Sequence, residues 1–311
     1  MKTPTATSPS LPAVLLAFAA VYLIWGSTYL AIRFAVETLP PFLMAGIRFT
    51  AAGTALFGWA AIRGAKRPSA LHWRSALIIG VLMLLGGNGL LTWAELYVPS
   101  GVAALIVATV PLWMVVLEAL RPGGARPTPR AVFGLLLGLA AIAMLIGPQG
   151  YDHASIDPVG AAVICLASFS WALGSIYSRH AQQTPSTIQN VGMQMLSGGG
   201  ALLVLGLARG EQLDLAAVSS SSAWSLAYLT VAGGIVSYSA YVWLLKVSTP
   251  ARVSTYAYVN PVIAVVLGWA LAGESLGPRV VVAGATVVTA VVLITWRRSP
   301  RPQRTATRCP Q

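Results

Sequence analysis

Polar and aromatic side chains recur at helical spacing inside otherwise apolar segments of this sequence. Asn88, Thr92 and Glu95, for example, follow one another at i, i+4 and i+7, which places them on one face of a helix. Aromatic rings with hydroxyl and amide groups, and almost no fixed charge, suit the binding of a small molecule that has an apolar part. We expect one binding site lined by Trp25, Tyr29, Asn88, Thr92, Glu95, Trp171, Ser175, Tyr238, Tyr241, Tyr256 and Asn260.

Glu95 is the titratable candidate in this set. Partial burial beside the polar stripe would favour the protonated carboxyl, so Glu95 is a candidate carrier of a coupling proton or a partner for a substrate amino group. An arginine partner, Arg33 or Arg48, would oppose that effect. The alternative is that Glu95 only caps a helix end at the outer surface.

Two prolines interrupt apolar segments near their middles. Pro111 stands in VATVPLWMVV (107–116), and Pro261 stands in TYAYVNPVIA (255–264), directly after Asn260. A proline inside a helix removes one backbone hydrogen bond and kinks the helix. We expect Pro111 and Pro261 to be kink or gating positions beside the binding site. The alternative is that both prolines bend their helices for packing alone.

The segments that must position these residues have the length and composition of membrane spans. The 311 residues are 56% hydrophobic and 9% charged, whereas soluble domains carry roughly 25% charged residues. The apolar runs reach the ~20 residues that a bilayer-spanning helix needs, and buried strands are much shorter. We expect an all-α polytopic membrane protein with ten transmembrane helices at roughly 11–33, 41–62, 74–96, 100–121, 130–148, 158–179, 187–208, 222–245, 252–272 and 279–297.

The two halves of the chain are similar to each other. Trp25 recurs as Trp171 at an offset of 146 residues, and Pro111 recurs as Pro261 at an offset of 150. Because each copy holds an odd number of helices, the second copy enters the membrane from the opposite side. We expect two inverted five-helix repeats, 11–148 and 158–297, around a central cavity. They are flanked by a disordered N-terminal tail, 1–10, and a basic cytoplasmic tail, 298–311.

The net charge of +12 is distributed as a topology signal. With the N-terminus inside, the Lys and Arg residues fall at cytoplasmic helix ends except Arg33, Arg48, Arg209 and Arg279, and the carboxylates fall outside except Glu118. We expect a multi-pass protein of the cell (inner) membrane with both termini cytoplasmic. Its expected partners are a small-molecule substrate and the lipid bilayer, with possible proton coupling, and not nucleic acid. We expect a monomer or a homodimer.

The sequence offers little for catalysis. The three histidines, His72, His153 and His180, lie in or beside connections. Cys165 is in mid-helix and Cys309 is in the cytoplasmic tail, so we expect no disulfide. We therefore expect no catalytic residues, no metal, no cofactor and no enzymatic activity. A P-loop that would power a primary pump is absent from the sequence. The leading interpretation is a secondary transporter; an uncoupled facilitator or channel and a non-transporting membrane receptor remain open.

Three stretches carry a family resemblance. They are IWGSTYLAIRFAVETLPPFLMAGIRF (24–49), GNGLLTWAELYVPSGVAALIVATVP (87–111) and YAYVNPVIAVVLGWALAGE (256–274). They resemble the EamA family of the drug/metabolite transporter superfamily, in particular its YedA-like bacterial exporters. The resemblance implies two inverted five-helix repeats around a central cavity, and export of small metabolites, amino acids or drugs by alternating access. The chain departs from the family pattern at Gly124, where the position equivalent to Glu274 lacks an acidic residue.

The charge distribution makes a testable prediction about topology. A reporter protein fused after Gln311 should be active only in the cytoplasm, because the basic residues cluster on the side that holds both termini. Paired fusions of a cytoplasm-active and an exterior-active reporter measure this directly. Activity of the exterior reporter alone would overturn the assigned orientation of both repeats.

Overall fold

The computed structural model describes residues 10–121, 127–146, 156–248, 253 and 255–295, and its regular structure in these ranges is helical. The protein is an all-helical membrane protein. In chain order the long helices are α1 (Leu11–Ala35), α2 (Pro41–Ile62), α3 (Ala70–Ala94), α4 (Ser100–Leu120), α5 (Pro129–Ile146), α6 (Pro158–His180), α7 (Thr187–Ala208), α8 (Ser220–Val247), α9 (Tyr256–Ala272) and α10 (Pro278–Thr295).

Seven of these helices are long and apolar enough to cross a membrane, namely all except α5, α9 and α10. The latter three contain shorter apolar stretches at 129–141, 259–272 and 278–293. The count of ten spans therefore stays a prediction. Parts of other predictions lie outside the described residues: the N-terminal tail through residue 9, positions 147–148 and 296–297 of two predicted helices, and the basic tail 298–311 with Cys309.

Several helices begin where the local sequence supplies a cap. Ser69, Asp157, Ser186 and Ser219 precede α3, α6, α7 and α8, and the side chain of each accepts a hydrogen bond from a backbone N–H in the first turn. Such caps satisfy N–H groups that have no partner within the helix. Prolines occupy the first turn of other helices, where the missing N–H is no loss.

The helices of the two halves pack against one another in pairs. Helix α2 lies along α7, α5 along α10, and α4 along α9. Helix α1 contacts α8 and α9, and α6 contacts α3 and α4. The core is consequently built between the halves, because each half covers apolar surface of the other.

Glycines allow α2 and α7 to approach closely. A Cβ atom added at Gly192 would lie 2.7 Å from the backbone nitrogen of Phe57, and one at Gly53 would lie 2.8 Å from the backbone nitrogen of Leu196. A side chain at either position would force the two backbones apart. Small residues at such contacts are typical of membrane helix pairs, where tight packing replaces the hydrophobic driving force.

Three glutamates, Glu95, Glu211 and Glu274, lie at one end of the molecule, which we call the acidic end. Two of them connect helices of the two halves. Glu211 follows α7, and its Oε2 accepts a hydrogen bond from the backbone N–H of Leu43 in α2 at 2.8 Å. Glu274 follows α9 and accepts from the N–H groups of Ser100, at 2.7 Å, and Gly101, at 3.0 Å. In both cases an acid from the second half caps a helix of the first half.

The chain reaches this cap through a left-handed turn. Gly273 ends α9 with φ of 64°, a conformation that glycine adopts without steric cost. The turn directs Glu274 back to the start of α4, where its Oε1 also accepts a hydrogen bond from the Ser100 hydroxyl at 2.7 Å.

Removal of the Glu274 carboxylate should weaken the fold. We expect Glu274→Ala to lower the free energy of unfolding by about 2 kcal/mol, because hydrogen bonds to a charged acceptor are lost and the start of α4 is left uncapped. Thermal unfolding in detergent measures the effect. The control is Glu37→Ala, at an exposed carboxylate. Equal melting temperatures for both variants would contradict the capping role.

Candidate functional site

Three helices contain π-helical backbone near the centre of the molecule. The π-helical segments are Ala20–Ile24 in α1, Val81–Gly89 in α3 and Leu229–Tyr238 in α8. A π-helical segment widens the helix and occurs frequently at functional sites. These segments were not predicted from the sequence, and those of α3 and α8 supply residues of the cavity described next.

A cavity lies among α1, α2, α3, α4, α6, α8 and α9. It has about 80 Å³ of space for the centres of water molecules, which is enough for several waters. A substrate of amino-acid size therefore requires the surrounding helices to move apart. The lining residues are Trp25, Thr28, Tyr29, Ile32, Arg48, Phe49, Leu84, Gly87, Asn88, Leu91, Val107, Val110, Ala167, Ser168, Trp171, Gly233, Tyr238, Tyr256 and Asn260.

Aromatic rings from four helices meet at the cavity, and we call Trp25, Trp171, Tyr241 and Tyr256 the aromatic cluster. The Trp25 ring lies 5.6 Å from that of Trp171 and 5.6 Å from that of Tyr256, both edge to face, and 5.0 Å from that of Tyr241. These separations and angles are favourable for aromatic pairs. Tyr241 is fully buried and does not line the cavity, so it supports the other three rings from behind.

The two tryptophans are held against π-helical segments of the opposite half. The indole N–H of Trp25 donates a hydrogen bond to the backbone carbonyl of Gly233 in α8 at 3.2 Å. Trp171 packs against α3, where a Cβ added at Gly87 would lie 2.9 Å from its Cε3. The absence of a side chain at Gly87 lets the Trp171 ring lie directly on the backbone of α3. A Cβ at Gly233, by contrast, would meet Thr28 and not the Trp25 ring.

Hydroxyl groups around the cluster are bonded to protein groups. The Tyr238 hydroxyl donates to Oε1 of Gln194 at 2.9 Å. Ser175 donates to the carbonyl of Trp171 at 2.8 Å, and its hydroxyl also lies 3.1 Å from that of Tyr241. Tyr238 lines the cavity, whereas Ser175 lies behind it with Tyr241. Ser175 therefore supports the tyrosine instead of facing a ligand.

Asn260 and Pro261 lie together at the side of the cavity in α9. Pro261 is inside the helix and removes the hydrogen bond that would end at the carbonyl of Ala257. Asn260 lines the cavity. With its amide oriented so that the nitrogen faces these groups, Asn260 donates to the backbone carbonyls of Tyr22 at 3.1 Å and Tyr256 at 3.2 Å. The asparagine thus bonds two carbonyls beside the proline and joins α9 to α1.

Pro111 lies at a break in α4. Helical structure stops after Val107 and resumes at Val110, and Pro111 stands in the first turn of the second part. The Thr109 hydroxyl donates to the carbonyl of Ile106 at 2.7 Å and so satisfies one group at the break. Val107 and Val110 line the cavity, whereas the Pro111 side chain does not.

The polar stripe of α3 divides between the cavity and the protein interior. Asn88 lines the cavity, and the Thr92 hydroxyl donates to its Oδ1 at 3.4 Å. Glu95 does not line the cavity and is fully buried. Neither carboxylate oxygen of Glu95 has a hydrogen-bond partner among the described residues, while Arg33 donates to its backbone carbonyl at 3.4 Å. A surface cap would be exposed, so that alternative does not describe Glu95.

Arg48 is the one fixed charge among the described lining residues of a cavity that was expected to hold almost none. It lies about two turns inside α2, is 3% exposed and lines the cavity. Its guanidinium donates to Oδ1 of Asn88 and stands 4.4 Å from the centre of the Phe49 ring. From the sequence, Arg48 was expected as a charge at an outer helix end and as a possible partner of Glu95, and not as a lining residue. The sequence signal for this role is the position of Arg48 well inside an apolar span. An arginine near the end of a span could extend its side chain to the membrane interface, but one this far inside cannot easily do so.

The end opposite the acidic end carries a larger recess, and we call it the basic end (Arg121, Arg179 and Lys246). The recess has about 670 Å³ of space for the centres of water molecules. Besides the three basic residues, its lining includes Glu118 and His180. Arg121 bonds Glu118 at 2.7 Å and lies 2.8 Å from the His180 ring. Neither this recess nor the central cavity offers a metal site, since no group of three or more His, Cys, Asp or Glu side chains converges in the described part of the chain.

Comparison with known proteins decides the family. The model of the EamA-like transporter family matches residues 11–147 and again residues 158–296. The chain belongs to the EamA-like transporter family. The names of the family and of relatives such as YedA indicate a transporter and not an enzyme, and the apolar helices of this EamA-like chain make it a multi-pass membrane protein.

Individual relatives cover nearly the whole EamA-like chain. It is 41% identical over 277 residues to the uncharacterized inner membrane transporter YedA of Escherichia coli (strain K12), covering 89% of this chain and 88% of YedA. It is 23% identical over 289 residues to the uncharacterized transporter YoaV of Bacillus subtilis (strain 168), covering 93% and 98%. A protein of known crystal structure has the same fold, with a TM-score of 0.66 at 21% identity over 91% of this chain and 96% of that one.

Proposed function

We propose that this protein is a secondary transporter that exports small metabolites, amino acids or drug-like compounds across the plasma membrane by alternating access. The observation that carries the proposal is the central cavity, which both halves of the chain line with aromatic and polar side chains. The cavity is smaller than such substrates, which supports the interpretation that the substrate site is not fully open in this conformation. Movement of the helices around it would then expose the site to one side of the membrane at a time.

We further propose that the two halves are inverted five-helix repeats and that all ten helices span the bilayer. Under this proposal α1 corresponds to α6, α3 to α8 and α4 to α9. The packing supports it, because the contact of α1 with α8 is matched by that of α6 with α3. The π-helical segments also occupy corresponding parts of α3 and α8. Repeats of this kind place the substrate site between them near the middle of the membrane.

Export is the proposed direction, with the basic end in the cytoplasm. The excess of Lys and Arg at that end supports the orientation. The recess at the basic end supports entry of the substrate from the cytoplasm. At the acidic end, the hydrogen bonds of Glu211 and Glu274 hold the two halves together, which supports a closed outer side. Opening to the exterior would require these bonds to break or to move with their helices.

Transport should depend on the aromatic cluster. We expect cells that produce the protein to export some members of a mass-detected metabolite panel faster than cells without it. The double variant Trp25→Ala/Trp171→Ala should weaken apparent affinity for the exported compounds by about tenfold or more, because two rings that line the cavity are removed. The control is Trp224→Ala, whose ring is 78% exposed near the start of α8.

The outcome separates transport from other functions. Unchanged export by the double variant, when it is inserted as well as the control, would mean that the site lies elsewhere. Identical metabolite profiles with and without the wild-type protein, together with no flux in proteoliposomes, would favour a non-transporting receptor.

Glu95 is the proposed carrier of a coupling proton. Its carboxylate is buried and without hydrogen-bond partners among the described residues, a setting that favours the protonated form. The charges of Arg33, Arg48 and Glu274 act on Glu95, and the Tyr29 hydroxyl is the neighbouring titratable group. A change in the distance to the two arginines between transport states would change the proton affinity of Glu95.

Substitution of Glu95 should uncouple transport. We expect Glu95→Gln to abolish proton-driven flux in proteoliposomes while equilibrium exchange continues, because glutamine fills the same volume without a titratable proton. Glu37→Gln, at an exposed carboxylate, is the control. Loss of both fluxes would assign Glu95 to substrate binding, and wild-type behaviour in both assays would favour an uncoupled facilitator.

A further inference from the structure

Arg48 is the one charged side chain among the described residues that line the central cavity. Its residue surface is 3% exposed, so the guanidinium is removed almost completely from bulk water. Its Nε–H has no hydrogen-bond partner among the described groups. The remaining polar contact is with the amide oxygen of Asn88, which carries no net charge. The Nε–H group of the guanidinium is thus free to donate a hydrogen bond to a ligand in the cavity.

The guanidinium also lacks a carboxylate partner. Among the described residues, no carboxylate lies within 4.0 Å of the Arg48 guanidinium; Glu95, the acid whose charge acts on Arg48, lies beyond that distance. A buried charge without a carboxylate at ion-pair distance destabilises the protein at this position. Such a cost is offset when a ligand supplies the opposite charge. The planar fork of arginine matches a carboxylate group, which can accept two parallel hydrogen bonds.

We propose that the transported compounds are small monocarboxylates with an aromatic or branched apolar group. The carboxylate binds Arg48, and the apolar part binds the cavity face of the aromatic cluster, Trp25, Trp171 and Tyr256. A single positive charge in the lining favours a single negative charge on the ligand. This inference rests on the proposed transport function, and it adds the substrate class.

Equilibrium binding to the purified full-length protein tests the substrate class. Radiolabelled phenylacetate is the probe, and the competitors are phenylacetamide, 4-methylpentanoate and 4-methylpentanamide. Each amide has nearly the shape of its acid but no charge. We expect each carboxylate to bind about tenfold or more tightly than its amide, because the amide cannot pair with the guanidinium. No binding of either carboxylate, or equal affinity for acid and amide, would overturn the inference.

Variants of Arg48 locate the preference. Arg48→Gln should remove the difference between acid and amide, and Arg48→Lys should reduce carboxylate affinity several-fold, because it keeps the charge but loses the fork. Arg209→Gln is the matched control, since Arg209 is exposed and does not line the cavity. Wild-type carboxylate preference in both Arg48 variants would overturn the assignment. If Arg48→Gln does not yield monodisperse protein, Arg48→Lys alone decides: carboxylate affinity equal to that of the wild type would overturn the assignment.

The binding measurement separates this inference from the proposed function. Carboxylate binding through Arg48 with no flux in proteoliposomes would leave the site in place and overturn transport. Transport that favours the amides over the acids would overturn the substrate class and leave the transport function standing.

Discussion

The fold depends on satisfying backbone polar groups within the membrane. An ordinary α-helix does so by itself, but near the centre a proline inside α9 and a break in α4 interrupt this pattern, and α1, α3 and α8 change to π-helical hydrogen bonding. Side chains of neighbouring helices bond carbonyls in these regions. Trp25 donates to Gly233, and Asn260 reaches Tyr22 and Tyr256. The irregular backbone therefore faces other protein groups and the cavity instead of lipid.

The same interactions create the site. A tryptophan that donates a hydrogen bond to the backbone of a neighbouring helix cannot rotate freely. The hydrogen bonds to backbone carbonyls therefore also position the aromatic cluster. Corresponding residues of the two halves make different contacts. Trp25 donates a hydrogen bond to α8, whereas the contact of Trp171 with α3 at Gly87 is one of close packing. Arg48, from the first half, adds the one charge among the described lining residues of the cavity.

The two ends of the molecule also differ. Carboxylates from the second half cap first-half helices at the acidic end, and the position equivalent to Glu274 in the first half is Gly124. Gly124 follows α4 in the sequence, and Arg121 at the end of α4 lines the recess of the basic end. In the proposed transport cycle, opening of the acidic end would require charged hydrogen bonds to break or to move with their helices.

Composition and span length were sufficient to predict an all-helical membrane protein, because hydrocarbon admits few alternatives for a chain this apolar. Helical spacing also predicted the direction of side chains around each axis, and Trp25, Tyr29, Asn88, Trp171, Tyr238, Tyr256 and Asn260 all line the cavity. Helical spacing does not predict how deeply a side chain is buried or which neighbouring helix packs over it. Thr92, Glu95, Ser175 and Tyr241 share faces with lining residues, yet neighbouring helices bury them behind the cavity. The same limit applies to Arg48: its position well inside an apolar span indicates a buried charge, but only the packing of α2 against the other helices places its guanidinium at the cavity.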